Sequence, residues 1–165
     1  MSDDFTPPIA GPTHAALNPF AGTFKSEVKM WFGPDADPMI TSGTMVNSWQ
    51  LNGLYLHQDY KGDATEGPFP NFEGKGYWGW NPATETYEGF WIDTASSIMQ
   101  TEVGDLDESG KVWTMLSQVP NPHGDGMMAK RSVITLIDDD NHKMETYFSV
   151  GGNEMKNMEI TYVRV

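Results

Sequence analysis

The sequence predicts an all-β fold: a ten-stranded antiparallel up-and-down barrel with one short N-terminal helix. Apolar and polar residues alternate in one short segment after another, clusters of Gly, Pro, Asn and Asp separate these segments, and no helical pattern lies between them. Parallel strands need long crossover connections, so the strands must be antiparallel. An open meander of this length leaves two unpaired edges, and closure into a barrel removes both.

The chain divides into a flexible lead-in, residues 1–11, and one domain, residues 12–165. The lead-in is polar and rich in Pro, and the remaining length suits a single core. Residues 12–18 favour a short helix, because Pro12 is tolerated in a first turn, and Pro19 ends it. Eight strands are predicted at residues 22–32, 40–51, 54–61, 98–105, 111–118, 127–137, 142–150 and 155–164.

The other two strands form a central hairpin within residues 73–93, EGKGYWGWNPATETYEGFWID, with Asn-Pro-Ala-Thr as its turn. Side chains alternate along a strand, so Trp78 lies on the face of Gly76. On the other arm, Trp91 shares its face with Gly89. Aromatic rings beside glycines are typical of a curved sheet with a large side chain over each gap. We therefore place both tryptophans inside the barrel.

Asp93 is the acidic residue that we most expect to be buried. By alternation it lies on the face of Trp91, where a hydrogen bond to Tyr60 or Arg131 would hold it. A carboxyl group inside a barrel has a raised pKa and can take part in acid–base chemistry. Three further acids lie in predicted strands and would serve the same purpose if they pointed inward: Glu102, Glu145 and Glu159.

Composition and charge exclude several classes of function. The net charge is −13, from 10 basic and 23 acidic residues, whereas nucleic acids and anionic membranes attract clustered Lys and Arg. The absence of cysteine excludes disulfides and thiol chemistry. No apolar stretch approaches the ~20 residues that span a bilayer, and no basic or apolar leader begins the chain. We expect a cytoplasmic protein with no nucleic-acid or membrane partner, while a homodimer stays open.

The histidines and glycines show no pattern of a metal or cofactor site, and neither is expected. His14, His57, His123 and His142 lack metal-ligand spacing, and we interpret each as a surface or turn residue. A haem ligand is an alternative for His57, if the strand register slips by one, or for His123. The G-x-G-x-x-G string that starts at Gly74 is followed by a turn and a strand, not by the helix of a dinucleotide site.

Six segments of the chain, in order, carry a resemblance to a known family. They are PTHAALNPFAGTF with KSEVKMWFGPDADPM, LNGLYLHQDYKGD, GKGYWGWNPATETYEGFWID, IDDDNHKMETYFS and MEITYVRV. Together they are similar to an uncharacterised bacterial family, domain of unknown function 1579, over nearly the whole chain from Pro12 onward. The resemblance implies a lipocalin-like fold, with a barrel around a cavity, but no established reaction.

One lipocalin feature can be compared residue by residue. Lipocalins open their first strand with Gly-x-Trp after a short helical turn, and a basic residue of the last strand packs across that ring. Here Gly22-Thr23-Phe24 stands in the equivalent place, with Phe for Trp, and Arg164 ends the last strand. A guanidinium over an aromatic face is favourable by ~0.5–2 kcal/mol. The resemblance thus implies a barrel floor of Phe24 and Arg164; the alternative is a surface Arg near an unrelated core Phe.

Three functions are compatible with these patterns. The first is a binding module that holds a small apolar ligand, and its predicted ligand-binding residues are Tyr60, Trp78, Trp91, Asp93 and Tyr162. The second is an enzyme of lipocalin-like fold that uses a buried carboxylate with Tyr or His. The third is a structural domain whose barrel is filled. An acid bonded to Tyr or His in a cavity would favour the enzyme, an apolar cavity would favour binding, and no cavity would favour the filled barrel.

Overall fold

The computed structural model describes residues 5–122 and 124–165, which form a closed barrel of ten antiparallel strands. The strands are β1 (Gly22–Met30), β2 (Met39–Gln50), β3 (Tyr55–Gly62), β4 (Glu73–Asn81), β5 (Thr86–Asp93), β6 (Gln100–Leu106), β7 (Val112–Pro120), β8 (Met127–Leu136), β9 (Asn141–Val150) and β10 (Asn153–Arg164). Each strand pairs with the next along the chain, and β10 pairs with β1 to close the ring. The predicted up-and-down barrel is confirmed.

Alternation of side chains explains why these segments are strands. In β1, the buried residues Phe24, Ser26 and Val28 are separated by exposed ones, so one face of the strand lines the barrel interior. The strand ends differ from the predicted ones by at most a few residues. For example, β1 ends at Met30 instead of residue 32, because its ladder with β2 stops at the Met30–Met39 pair.

The N-terminal segment closes one end of the barrel. It contains α1 (Pro12–Ala15) and a 3₁₀ helix (Asn18–Phe20), and residues 5–11 before it form neither helix nor strand. Phe20 is buried against the rings of Trp78 and Trp113, with centroids 5.7 and 5.0 Å away. The side-chain amide of Asn47 donates to the Phe20 carbonyl at 2.8 Å. No helix of the described ranges is long and apolar enough to cross a membrane.

Arg164, the last residue of β10, holds the N-terminal segment against this end of the barrel. Its guanidinium carbon lies 4.6 Å from the centroid of the Phe24 ring. The same guanidinium donates to three backbone carbonyls: Pro19 at 2.7 Å, Ala21 at 2.8 Å and Asp139 at 2.8 Å. These carbonyls belong to the N-terminal segment and to the turn between β8 and β9. The structure therefore places Arg164 over Phe24, as the lipocalin resemblance implies, and gives it hydrogen bonds that the resemblance did not indicate.

The glycines of the central hairpin make room for its tryptophans. A Cβ atom at Gly74 would lie 2.1 Å from the Trp91 ring, and one at Gly89 would lie 2.6 Å from the Trp78 ring. Both distances are far below van der Waals contact, so each position requires glycine if the ring is to stay in place. The predicted packing of aromatic rings over glycine gaps is confirmed, and it sets where the two rings border the barrel interior.

Candidate ligand-binding cavity

A cavity of about 300 Å³ occupies the half of the barrel opposite the N-terminal segment. Its lower part borders the buried core, and its rim includes Asp63 and Ala95, which are exposed. The loop between β3 and β4 contributes Phe69 and Phe72 to this rim. The backbone N–H of Gly62 donates to the Phe72 carbonyl at 2.8 Å, which holds the loop against the barrel. The interior is thus reachable from solvent at one end and closed at the other.

All five predicted ligand-binding residues lie on the wall of this cavity: Tyr60, Trp78, Trp91, Asp93 and Tyr162. Tyr60 and Tyr162 are buried, and burial raises the pKa of both phenols, so both remain protonated near neutral pH. The hydroxyls of Tyr60 and Ser26 share a hydrogen bond of 3.0 Å. The structure brings the set together; whether these residues hold a ligand stays a prediction.

Methionines supply much of the remaining apolar wall. The lining includes Met30 from β1, Met45 from β2, Met144 from β9 and Met158 from β10. Thioether side chains are flexible and polarisable, and they adapt to ligands of different shape. Other methionines, such as Met115, are buried in the solid core below the cavity. Methionine therefore both lines the cavity and fills the core, at different positions of the chain.

Asp93 lies at the cavity, but its predicted partners were wrong. Its carboxylate accepts a hydrogen bond from the Trp91 indole N–H at 2.9 Å, not from Tyr60 or Arg131. Arg131 is on the outer face of β8, where it donates twice to Glu154 at 2.8 Å. The physical reason is alternation: Arg131 points away from the interior, whereas residues two apart on β5 share a face and meet directly.

Lys130, Gln100 and Glu102 form a polar patch on the cavity wall that the sequence did not lead us to predict as a unit. The Lys130 ammonium donates to the Gln100 side-chain carbonyl at 3.2 Å, and the Trp78 indole N–H donates to Glu102 at 3.2 Å. Burial lowers the pKa of the Lys130 amine, while the carboxylates of Glu102 and Asp93 oppose that shift. The cavity is therefore apolar over most of its wall and polar on the side formed by β5, β6 and β8.

Glu145 and Glu159 do not reach the cavity. Both lie on the outer face, where the Lys156 ammonium contacts both carboxylates and Lys143 contacts Glu145 at 3.2 Å. Partial burial tends to raise the pKa of Glu145, but the hydrogen bonds and charges of Lys156 and Lys143 together outweigh it and lower that pKa. Of the three further acids considered from the sequence, only Glu102 points inward.

The histidines also depart from expectation at one position. His142 was interpreted as a surface or turn residue, and this was wrong: it is buried in β9, stacked on Tyr162 at 4.4 Å and edge-on to Phe20 and Phe24. Burial, followed by the positive charge of Arg164, lowers its pKa to about 4. At neutral pH this imidazole is uncharged.

No histidine lies on the cavity wall among the described residues. His57 contacts Tyr77 on the outer face of the barrel, with ring centroids 4.8 Å apart, so the haem alternative for His57 was wrong. His123, the other haem alternative, lies outside the described residues. The ring of His14 accepts a hydrogen bond from the Gly11 N–H at 3.1 Å. No cluster of three or more metal-binding side chains occurs in residues 5–122 and 124–165.

The comparisons with known proteins bear on the whole barrel. A family model described as "Protein of unknown function (DUF1579)" matches residues 10–164. The chain belongs to this family. A crystal structure of Rv2717c from M. tuberculosis resembles this DUF1579 barrel with a TM-score of 0.69 and 17% identity, over 96% of this chain and 99% of the other. At that identity the likeness concerns the fold alone. None of the curated proteins compared with the chain matches it.

The sequence of the DUF1579 barrel indicates only weakly that Lys130 belongs to this polar patch. One face of β8 carries Met128, Lys130, Ser132, Ile134 and Leu136, and the other carries Met127, Ala129, Arg131, Val133 and Thr135. Neither face is clearly apolar, so alternation alone could not say which one points inward. The pairing with β7 shows which face points inward. Ser132 lies opposite Met115 and Ile134 lies opposite Trp113, and both of these β7 residues are buried. That register carries Lys130 onto the cavity wall.

Proposed function

We propose that the protein binds one small, largely apolar molecule inside the barrel. The observation that carries the proposal is the cavity of about 300 Å³, which is lined by aromatic and methionine side chains and reaches solvent at its rim. Ligand pockets typically measure ~300–1,000 Å³ and combine mostly apolar walls with a few polar groups. The cavity is at the lower end of this range, so a compact ligand fits better than a long-chain lipid.

The cavity also weighs against the two alternatives. A structural domain with a filled barrel would leave no such space. An enzyme that uses a carboxylate with Tyr or His needs the two groups within hydrogen-bond reach. Here Asp93 and Glu102 instead accept indole N–H groups from Trp91 and Trp78, and no carboxylate of the described residues bonds to Tyr or His on the cavity wall.

Tryptophan fluorescence tests the proposal, because Trp78 and Trp91 border the cavity. Titration with a panel of neutral apolar molecules, from hexan-1-ol to decan-1-ol and naphthalene, should give a saturable change in emission for those of suitable size. Trp91→Ala should alter the amplitude of that change. Trp31→Ala is the matched control, since Trp31 follows β1 and contacts the Lys156 ammonium instead of the cavity. A panel without any saturable response would contradict the proposal.

A further inference from the structure

Lys130 stands out on the cavity wall because its charge has no close counterion. It is the one basic residue among the described residues that line the cavity. Its ammonium can donate three hydrogen bonds and has, within the part of the chain that the structure describes, one acceptor, the Gln100 amide oxygen at 3.2 Å. No carboxylate of the described residues lies within 4.0 Å of it. The side chain is half-buried on the cavity wall, and partial removal of an ammonium from water without a direct counterion favours the neutral amine more than full exposure does.

The carboxylates nearby are held away from the amine. Glu102 accepts the Trp78 indole N–H, and Asp93 accepts the Trp91 indole N–H together with the backbone N–H groups of Ala95 and Ser96. These bonds fix both acids on the wall beside Lys130 without direct contact. The amine therefore has no direct ion pair to either acid, and two negative charges remain close enough to attract a positive one.

The charges of the wall disfavour an anionic ligand. The cavity wall carries three carboxylates, from Asp63, Asp93 and Glu102, and one ammonium, from Lys130. A ligand carboxylate would gain one attraction and meet three repulsions. A neutral ligand avoids this cost, and a neutral carbonyl group can in addition react with a desolvated lysine amine.

We propose that Lys130 captures the aldehyde or ketone group of an apolar ligand as a Schiff base. The inference rests on the proposed binding function, since the ligand must first enter the cavity. The neutral amine nitrogen adds to the carbonyl carbon, and the carbonyl oxygen leaves as water with the two amine hydrogens, so a C=N bond replaces C=O and no oxidant or reductant is needed. When the imine takes up a proton, its positive charge lies where the ammonium charge lay and keeps the attraction of Glu102 and Asp93.

Reductive trapping with octanal tests the proposal on the intact protein. Sodium cyanoborohydride reduces the imine to a stable secondary amine, and peptide mapping by mass spectrometry then locates the added octyl group. Trapping at Lys130 is expected to be at least about tenfold faster than at any surface lysine, as for other desolvated lysine nucleophiles. Excess octan-1-ol should suppress this reaction, because it competes for the cavity without forming an imine.

Two variants complete the test. Lys130→Arg keeps the charge but cannot form an imine, and it should lose the rapid, octanol-sensitive adduct. Lys25→Arg should keep it, since the Lys25 ammonium also has a neutral partner, the Thr44 hydroxyl at 3.1 Å, but is exposed. If octan-1-ol binds saturably and octanal labels lysines without preference for Lys130, the Schiff-base proposal is overturned and the binding function stands. If neither molecule binds, both proposals are overturned.

Discussion

Arg164→Ala should lower the free energy of unfolding by about 2–4 kcal/mol. The ring contact with Phe24 accounts for ~0.5–2 kcal/mol of this, and each lost hydrogen bond to a half-buried carbonyl accounts for a further ~0.5–1.5 kcal/mol. Pro19 and Ala21 supply these two carbonyls beneath the guanidinium. Denaturation in urea, followed by circular dichroism, measures the loss.

Arg131→Ala provides the matched control for this prediction. Arg131 also lies over an aromatic ring, that of Tyr147 at 4.3 Å, and it also makes two strong hydrogen bonds, here to Glu154. Its partners are on the outer face and partly exposed, so its removal should cost about 1 kcal/mol or less. Equal losses of unfolding free energy in the two variants would contradict the claim that the contact between Arg164 and Phe24 stabilises the closed end of the barrel.

Lowering the pH from about 7.5 to 5 should cost about 2 kcal/mol of stability through His142 alone. The pKa of this imidazole falls from 6.5 to about 4 in the folded state, so the unfolded chain binds the proton more tightly. Stability is therefore complete above about pH 6.5, decreases as the pH falls, and levels off below about pH 4. Urea denaturation at a series of pH values measures this slope.

Two histidine variants separate this contribution from that of the acidic residues. His142→Leu, which replaces the buried ring with an apolar side chain of similar shape, should remove most of the pH dependence between about pH 5 and 7. His57→Leu should retain it, because His57 lies on the outer face against Tyr77. An unchanged slope in His142→Leu would mean that the buried imidazole is not the group that titrates.

Local patterns were sufficient to predict the barrel. Alternation identified all ten strands, since each has one face in contact with the core, and short turns required that neighbours in sequence also be neighbours in space. The glycines facing Trp78 and Trp91 indicated correctly where large rings pack, because that packing is decided within one hairpin.

The details of the cavity depended on contacts that no local pattern encodes. Lys130 lies on a strand with two mixed faces, and its inward direction follows from pairing with β7. His142 directly follows a polar turn and resembles a turn residue, although its alternation with Met144 and Thr146 was a usable signal of an inward face. The hydrogen-bond partner of Asp93 was not predicted because several donors face the barrel interior. Only the folded structure shows that the Trp91 indole N–H is the donor within hydrogen-bond distance of Asp93.

The stoichiometry of octan-1-ol binding, measured by isothermal titration calorimetry, decides whether the barrel interior is a ligand site. We expect one molecule per barrel for the wild-type protein. Met158→Trp, which places a larger side chain into the cavity, should abolish binding, and Met99→Trp should preserve it, because Met99 is exposed and outside the cavity wall. Absence of saturable binding to the wild-type protein, or equal binding to the wild-type protein and Met158→Trp, would contradict the claim that the barrel interior is a ligand site.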